Sequence, residues 1–208
     1  MFLSRLKKAK TALLAAFLVI TAITSVHPIY PQEQMLQHAG TLLLLIPLVY
    51  DLFRGGMPMS AYIGLVLFGV LHVIGARYIY SYVPYKEWFT SLGIVDSGYF
   101  QDPRNHYDRF VHLCFGLLLF PFVKYICQNW LGQKAILAIF MAWLIIQAGS
   151  LLYELFEWML SNIMDPQDAE NYNGQQGDMF DAQKDMALAM LGSTFMALVY
   201  LIRRLFHR

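Results

Sequence analysis

The chain has 208 residues, of which 58% are hydrophobic, 15% aromatic and only 14% charged, a balance far from that of a soluble globular domain and suited to a bilayer. A formal net charge of +1 offers no basic face for nucleic acid, which is excluded as a partner. If Cys114 and Cys127 share one helix they stand roughly 20 Å apart, beyond disulfide reach, and read as apolar packing.

Six apolar stretches approach the roughly 17 to 25 residues needed to cross a membrane. The first, 11–26, follows Arg5, Lys7, Lys8 and Lys10. A signal peptide would need a small-residue cleavage site, which 21–26 does not offer, so a retained helix is expected. Next come 35–53 with His38, and 59–80 with His72 and Arg77 near its end. The aromatic run from Tyr80 to Phe89 suits the membrane interface, and a short amphipathic helix lying flat over the pocket mouth is expected there. Span 109–126 opens with Asp108, Arg109 and His112, and 135–160 closes with Ser150, Tyr153, Glu154 and Glu157. The acidic segment 165–174 misses the calcium-loop pattern and reads as a solvated turn. Span 181–202 begins with Asp181 and Asp185, just after Asp178; His27 and His207, near span ends, read as incidental. The expected fold is all-α: a polytopic bundle of six transmembrane helices forming one integral-membrane domain over 1–208.

With a cytoplasmic N-terminus, ten of the fifteen Lys and Arg residues fall in inner segments. The positive-inside rule then places both termini on the cytoplasmic side. The other five, Arg77, Lys86, Arg104, Arg109 and Lys184, lie on the outer side among acids and histidines. Counted at about 1.5 Å per residue, His38, His72 and His112 sit roughly 18 to 23 Å up their spans, with Glu154 and Asp185 slightly nearer the outer surface. Asp108 and His112 are four apart, as are Asp181 and Asp185, and Ser150, Tyr153, Glu154 and Glu157 share one helix face.

Charge held against hydrocarbon is costly and marks a candidate site. Carboxylates and imidazoles on facing helices are what a divalent metal ion takes as ligands, and His112, Glu154, Asp181 and Asp185 are the candidate set. The acid/base or metal-assisted set is Asp108, His112, Glu154, Glu157, Asp181 and Asp185. Substrate contacts are assigned to Arg77, Arg109, His72, His38 and Asp178, an arginine serving a phosphate. Three readings stay open: a metal-dependent hydrolase or transferase acting on a lipid-linked substrate from a pocket open to the outer face; a non-catalytic binder or carrier of a cation, proton or amphiphile; and an ion-paired plug that fixes helix register. Serine-hydrolase elbow, zinc-protease, P-loop and dinucleotide motifs are absent from the sequence.

The runs from His72 to Tyr80, Asn105 to His112, Tyr153 to Trp158 and Gly177 to Met186 together resemble the YjdF-type bacterial inner-membrane proteins over essentially the whole chain. The resemblance implies a multi-pass inner-membrane protein and no established activity. The last third, with Glu154 and Glu157 followed by Asp178, Asp181, Asp185 and Gly192, is similar to VanZ-like membrane proteins, although Ala189 stands where that family tends to carry Asn. That similarity implies a cell-envelope lipid or glycolipid by analogy.

Overall fold

The computed structural model describes residues 2–95, 98 and 102–206. Among them are eight helices and no strand: α1 Phe2–Ser25, α2 Pro31–Arg54, α3 Met59–Arg77, α4 Tyr85–Ser91, α5 Tyr107–Asn129, α6 Ala135–Ser161, α7 Pro166–Asn173 and α8 Asp181–Phe206. Five of them, α2, α3, α5, α6 and α8, are long and apolar enough to cross a membrane. α1 is as long as α2, with Arg5, Lys7, Lys8 and Lys10 in its first half. Outward faces are densely apolar, with Leu42, Ile46 and Phe53 on α2 and Leu152 on α6 exposed. Such patches are a liability in water and the natural face toward lipid.

α5 is the centre of the packing, joined extensively to α8, α3 and α6, while α1 and α2 lie against α3. Small residues set the closest approaches. A Cβ at Gly116 would collide with the Ala189 carbonyl and stand 2.6 Å from the Ser193 nitrogen, and one at Gly192 would collide with the Leu113 carbonyl and stand 3.0 Å from the Leu117 nitrogen. Backbone therefore touches backbone along the α5/α8 seam, the small-residue packing that membrane helices use where hydrophobic contrast with lipid is lost. Phe17 of α1 is fully buried against Gly69 of α3, where a Cβ would lie 2.7 Å from its ring. These contacts belong to an apolar cluster with Leu48, Tyr62, Leu65, Phe120 and Ile146 that fills the half of the bundle where α2 turns into α3.

One polar knot interrupts that half. Lys10 is buried, its Nζ 2.6 Å from Asp51 Oδ2 and 2.6 Å from the Met57 carbonyl, and Asp51 Oδ1 accepts the Met57 N–H at 2.8 Å. Lys10 thus serves as a staple between α1 and α2 rather than as a solvated charge. The Lys10 cation also lies 5.3 Å from the Tyr62 ring centroid.

Three expected boundaries differ. α3 ends at Arg77, not at residue 80, because Ile79 and Tyr80 take left-handed backbone, φ 43° and 56°. For a β-branched residue this is a true outlier, held only where surroundings over-determine it. Here the Tyr80 N–H donates to the Gly75 carbonyl at 2.8 Å and its ring lies flush on Gly75, where a Cβ would come within 2.7 Å. The aromatic segment is helical only over α4, and Tyr80 to Val83 forms the fold-back. The acidic segment read as a solvated turn is helix α7, with Pro166 opening it and Ala169, Tyr172 and Asn173 buried against the bundle. Proline suits a first helical position, where its missing N–H is no loss. The side chains of Gln167, Glu170 and Asn171, and His207 and Arg208, lie outside the described residues.

Candidate functional site

Antiparallel traverse brings the start of α5, the end of α6 and the start of α8 to one end of the bundle. Each contributes acids from an inward face: Asp108 and His112 one turn apart on α5, Glu154 and Glu157 on α6, Asp181 and Asp185 one turn apart on α8, all buried. Their arrangement has two layers.

The outer layer is ion-paired. Arg104 reaches Asp181 Oδ1, and Arg109 Nη2 lies 3.0 Å from the same oxygen and 2.5 Å from Asp178 Oδ2. Lys184 Nζ is 2.5 Å from Asp178 as well. Lys184, the Phe180 N–H and Arg109 together hold the Asp178 carboxyl well below the usual carboxylate range. Arg104 also donates to the Gln175 carbonyl at 2.6 Å, and Gln176 exchanges hydrogen bonds with the Asn105 backbone at 2.8 and 3.0 Å. The segments before α5 and α8 are stitched together over the acids, so the described loops close the outer side, where an open pocket mouth was expected.

The inner layer has no such partners. His112 Nε2 stands 3.4 Å from Glu154 Oε1 and 3.8 Å from Asp108 Oδ1. One ligand atom from each of Asp108, His112 and Asp185 falls within 4.8 Å of the others. Glu154 Oε1, Asp185 Oδ1 and the Ser150 hydroxyl are buried without a hydrogen-bond partner. Orphaned carboxylate oxygens in a low-dielectric site are costly unless a cation or proton meets them. Tyr153 is hydrogen-bonded to Glu157 and to Tyr172 of α7, which ties the far side of the cluster down.

Of the remaining sequence candidates, His72 lines the same cavity as Asp108 and His112, while His38 and Arg77 lie elsewhere. His72 Nε2 is 3.0 Å from the Gln37 carbonyl, which can only accept, so this nitrogen carries the proton and Nδ1 accepts from the Tyr80 hydroxyl at 2.6 Å. Both ring nitrogens are therefore in use. His38 bonds Ser25 and Thr41 at 3.1 and 3.2 Å, on the α1 side of α2. Arg77 donates to the Thr24 and Val26 carbonyls at 2.7 and 2.9 Å, satisfying the end of α1. Neither Arg77 nor Arg109 is a free phosphate clamp. Three residues not singled out from sequence belong to the cluster: Arg104, Tyr80 and Tyr172. Arg104 left a trace there, as one of five basic residues on the acidic side of the membrane.

Below the inner layer lies a cavity of about 320 Å³. Leu44, Phe68, Phe115 and Leu119 line its apolar part, and Asp108, His112, Ser150 and Tyr153 its polar end.

The family described as "Predicted membrane protein (DUF2238)" matches residues 9–205 of the chain. The chain belongs to the DUF2238 family. This DUF2238 protein is also similar to the inner membrane protein YjdF of Escherichia coli (strain K12), 29% identical over 181 residues that cover 84% of this chain and 74% of the relative. No solved structure matches. The match runs from α1 to α8, so all the acids described above fall within the family's extent, and the DUF2238 chain is a multi-pass membrane protein.

Proposed function

We propose that this protein resides in the bacterial inner membrane as a six-helix bundle, α1 being the sixth crossing, with both termini cytoplasmic and the acid cluster in the outer leaflet. It binds a divalent cation there and hydrolyses or transfers a group at the headgroup of a lipid-linked substrate. The observation that carries this reading is the pair of layers: within the cluster the acids with a lysine or arginine partner, Asp178 and Asp181, are in the outer one, while Asp108, His112 and Asp185 converge beside the orphaned oxygens of Asp185 and Glu154, and Asp108 and His112 also line the polar end of an apolar cavity.

A divalent ion at these ligands would polarise a headgroup oxygen and ease ionisation of water. Asp108, His112 and Asp185 would hold it, a mixed carboxylate and imidazole set that suits zinc or manganese better than a thiolate-seeking metal. Glu154, its Oε1 unpaired beside His112, is positioned to accept a proton from the attacking water. Tyr153, Glu157 and Tyr172 fix the wall opposite. Because Arg109 and Arg77 are occupied, an anionic headgroup would be met by the cation rather than by a guanidinium.

The test is elemental analysis of protein purified without chelator, followed by turnover assays on phospholipids and polyprenyl phosphates with and without added metal. Stoichiometric metal lost in His112→Ala and Asp185→Asn, and turnover that follows the metal, is the expected result. Metal without turnover on any lipid substrate leaves a binder. Absence of bound metal from folded protein incubated with excess zinc or manganese overturns the cation reading.

A further inference from the structure

We infer that the substrate reaches this site sideways, from the bilayer, by threading one hydrocarbon chain between α2 and α6 into the cavity under the acids. This names the substrate class and route for the site proposed above, and depends on that proposal only for what happens to the headgroup.

The cavity is walled by α2, α3, α5 and α6. Three of the four sides of that ring are packed seams: α2 on α3, α3 on α5, and α5 on α6. No extensive packing joins α2 to α6 among the described residues, and α8 lies behind α5 and α6 while α1 lies with α2 and α3. The gap therefore faces lipid. Leu43 of α2, which lines the cavity, is nevertheless 69% exposed, as expected of a residue at a mouth. On the α6 side Gly149 presents no side chain, and a Cβ there would stand 3.1 Å from the Phe115 ring, so that cavity-lining aromatic rather than a side chain of α6 borders the passage.

Access from above is covered. Arg104 and Gln176 join the loops over the acids, and the Gly174 backbone sits close enough that a Cβ there would lie 2.9 Å from Ser81 Oγ and 3.8 Å from Asp108 Oδ2. Deep in the opposite direction the apolar core is filled by Tyr62, Leu65 and Phe120.

The chemistry along the cavity matches an amphiphile. Its length is hydrocarbon, from Leu44 past Phe68 and Phe115 to Leu119, and its polar end holds the unpartnered Ser150 hydroxyl beside Asp108 and His112. A buried hydroxyl without a partner, aimed into a space this apolar, calls for a ligand's polar atom. The volume of about 320 Å³ is at the small end of ligand sites, which run from roughly 300 to 1,000 Å³. It suits one slim chain, with any further chains remaining in the bilayer.

The experiment uses the full chain reconstituted in phosphatidylethanolamine vesicles doped with phosphatidylglycerol that carries a diazirine on one acyl chain. After photolysis, adducts are mapped by mass spectrometry. Adducts on Phe115, Phe68 or Leu119 are expected in addition to those on the outward residues Leu152 and Leu198, and Gly149→Leu should abolish the former while sparing the latter. Leu43→Trp, at an exposed position that leaves the core untouched, narrows the same mouth from the α2 side and should act likewise if Gly149→Leu does not fold. Adducts confined to outward residues, or interior adducts unchanged by a folded Leu43→Trp variant, overturn the lateral route. Metal content is measured in the same samples: interior labelling without metal defeats the cation reading and leaves the route standing, and metal without interior labelling does the reverse.

Discussion

His112 Nε2 stands 3.4 Å from Glu154 Oε1, and that carboxylate oxygen is buried without a hydrogen bond. Nothing fits on the line between them, but the separation matches the edge that two ligand atoms of one tetrahedral ion, each about 2.0 to 2.2 Å from it, would span. Ligands of one ion behave as a unit. His112→Ala, Asp108→Asn and Asp185→Asn should each abolish bound metal, and the triple variant should look like any of the single ones. Elemental analysis checks this; graded, additive losses would show three independent groups instead of one cage.

The two layers of acids respond oppositely to neutralisation. Asp181 is held by Arg104 and Arg109, and breaking one partner of a buried pair typically costs about 3 to 5 kcal/mol. Asp185 has an orphaned oxygen and acidic neighbours. In metal-free protein Asp181→Asn should lower the unfolding temperature in detergent, while Asp185→Asn should leave it unchanged or raise it. A large loss in Asp185→Asn would revive the ion-paired plug.

The Lys10 and Asp51 pair predicts a third pattern of stability. Lys10→Met strands a buried carboxylate, and Asp51→Leu strands a buried ammonium. Each single change should destabilise by about 3 to 5 kcal/mol, and the double variant should recover much of the loss because no charge is left without its partner. Thermal unfolding of the four proteins gives the coupling directly.

Topology can be read with fusions. Reporters after the last residue and within 55–58 should give a cytoplasmic signal, and reporters within 161–165 the opposite one, since Arg5, Lys7, Lys8, Arg54, Lys124 and Lys134 all sit toward one end of the bundle. A cytoplasmic signal from the 161–165 junction would overturn the proposed orientation of the bundle.

Helices and their inward acids were legible because both follow from period and length. Asp108 with His112 and Asp181 with Asp185 share faces by spacing alone, whatever the tertiary structure. Depth was legible as well, but depth is one coordinate of two. His38 and His72 were counted to the level of His112, yet the direction in which a helix turns its face depends on its neighbours: α2 turns His38 to Ser25 of α1, and the fold-back at Ile79 and Tyr80 commits His72 to a tyrosine. Nothing in the periodicity announces a left-handed isoleucine. α7 was missed for a related reason, since its buried Tyr172 is held by a partner on α6 rather than by any pattern of its own.

The seam between α5 and α8 acts at a distance from the chemistry. Where Gly116 and Gly192 let backbone rest on backbone, there is no compressible side chain between the helix bearing Asp108 and His112 and the helix bearing Asp185. That pair works as a fixed-gauge caliper, and α6, which carries Glu154, is tied to α8 by Trp143 to Thr194 at 2.9 Å and Gln147 to Ser193 at 2.8 Å. For the proposed cation the gauge would set the ionic radius accepted, since selectivity among hard cations follows cavity size and rigidity. Adding a single methyl at Gly116 would therefore change which ion is preferred without touching any ligand.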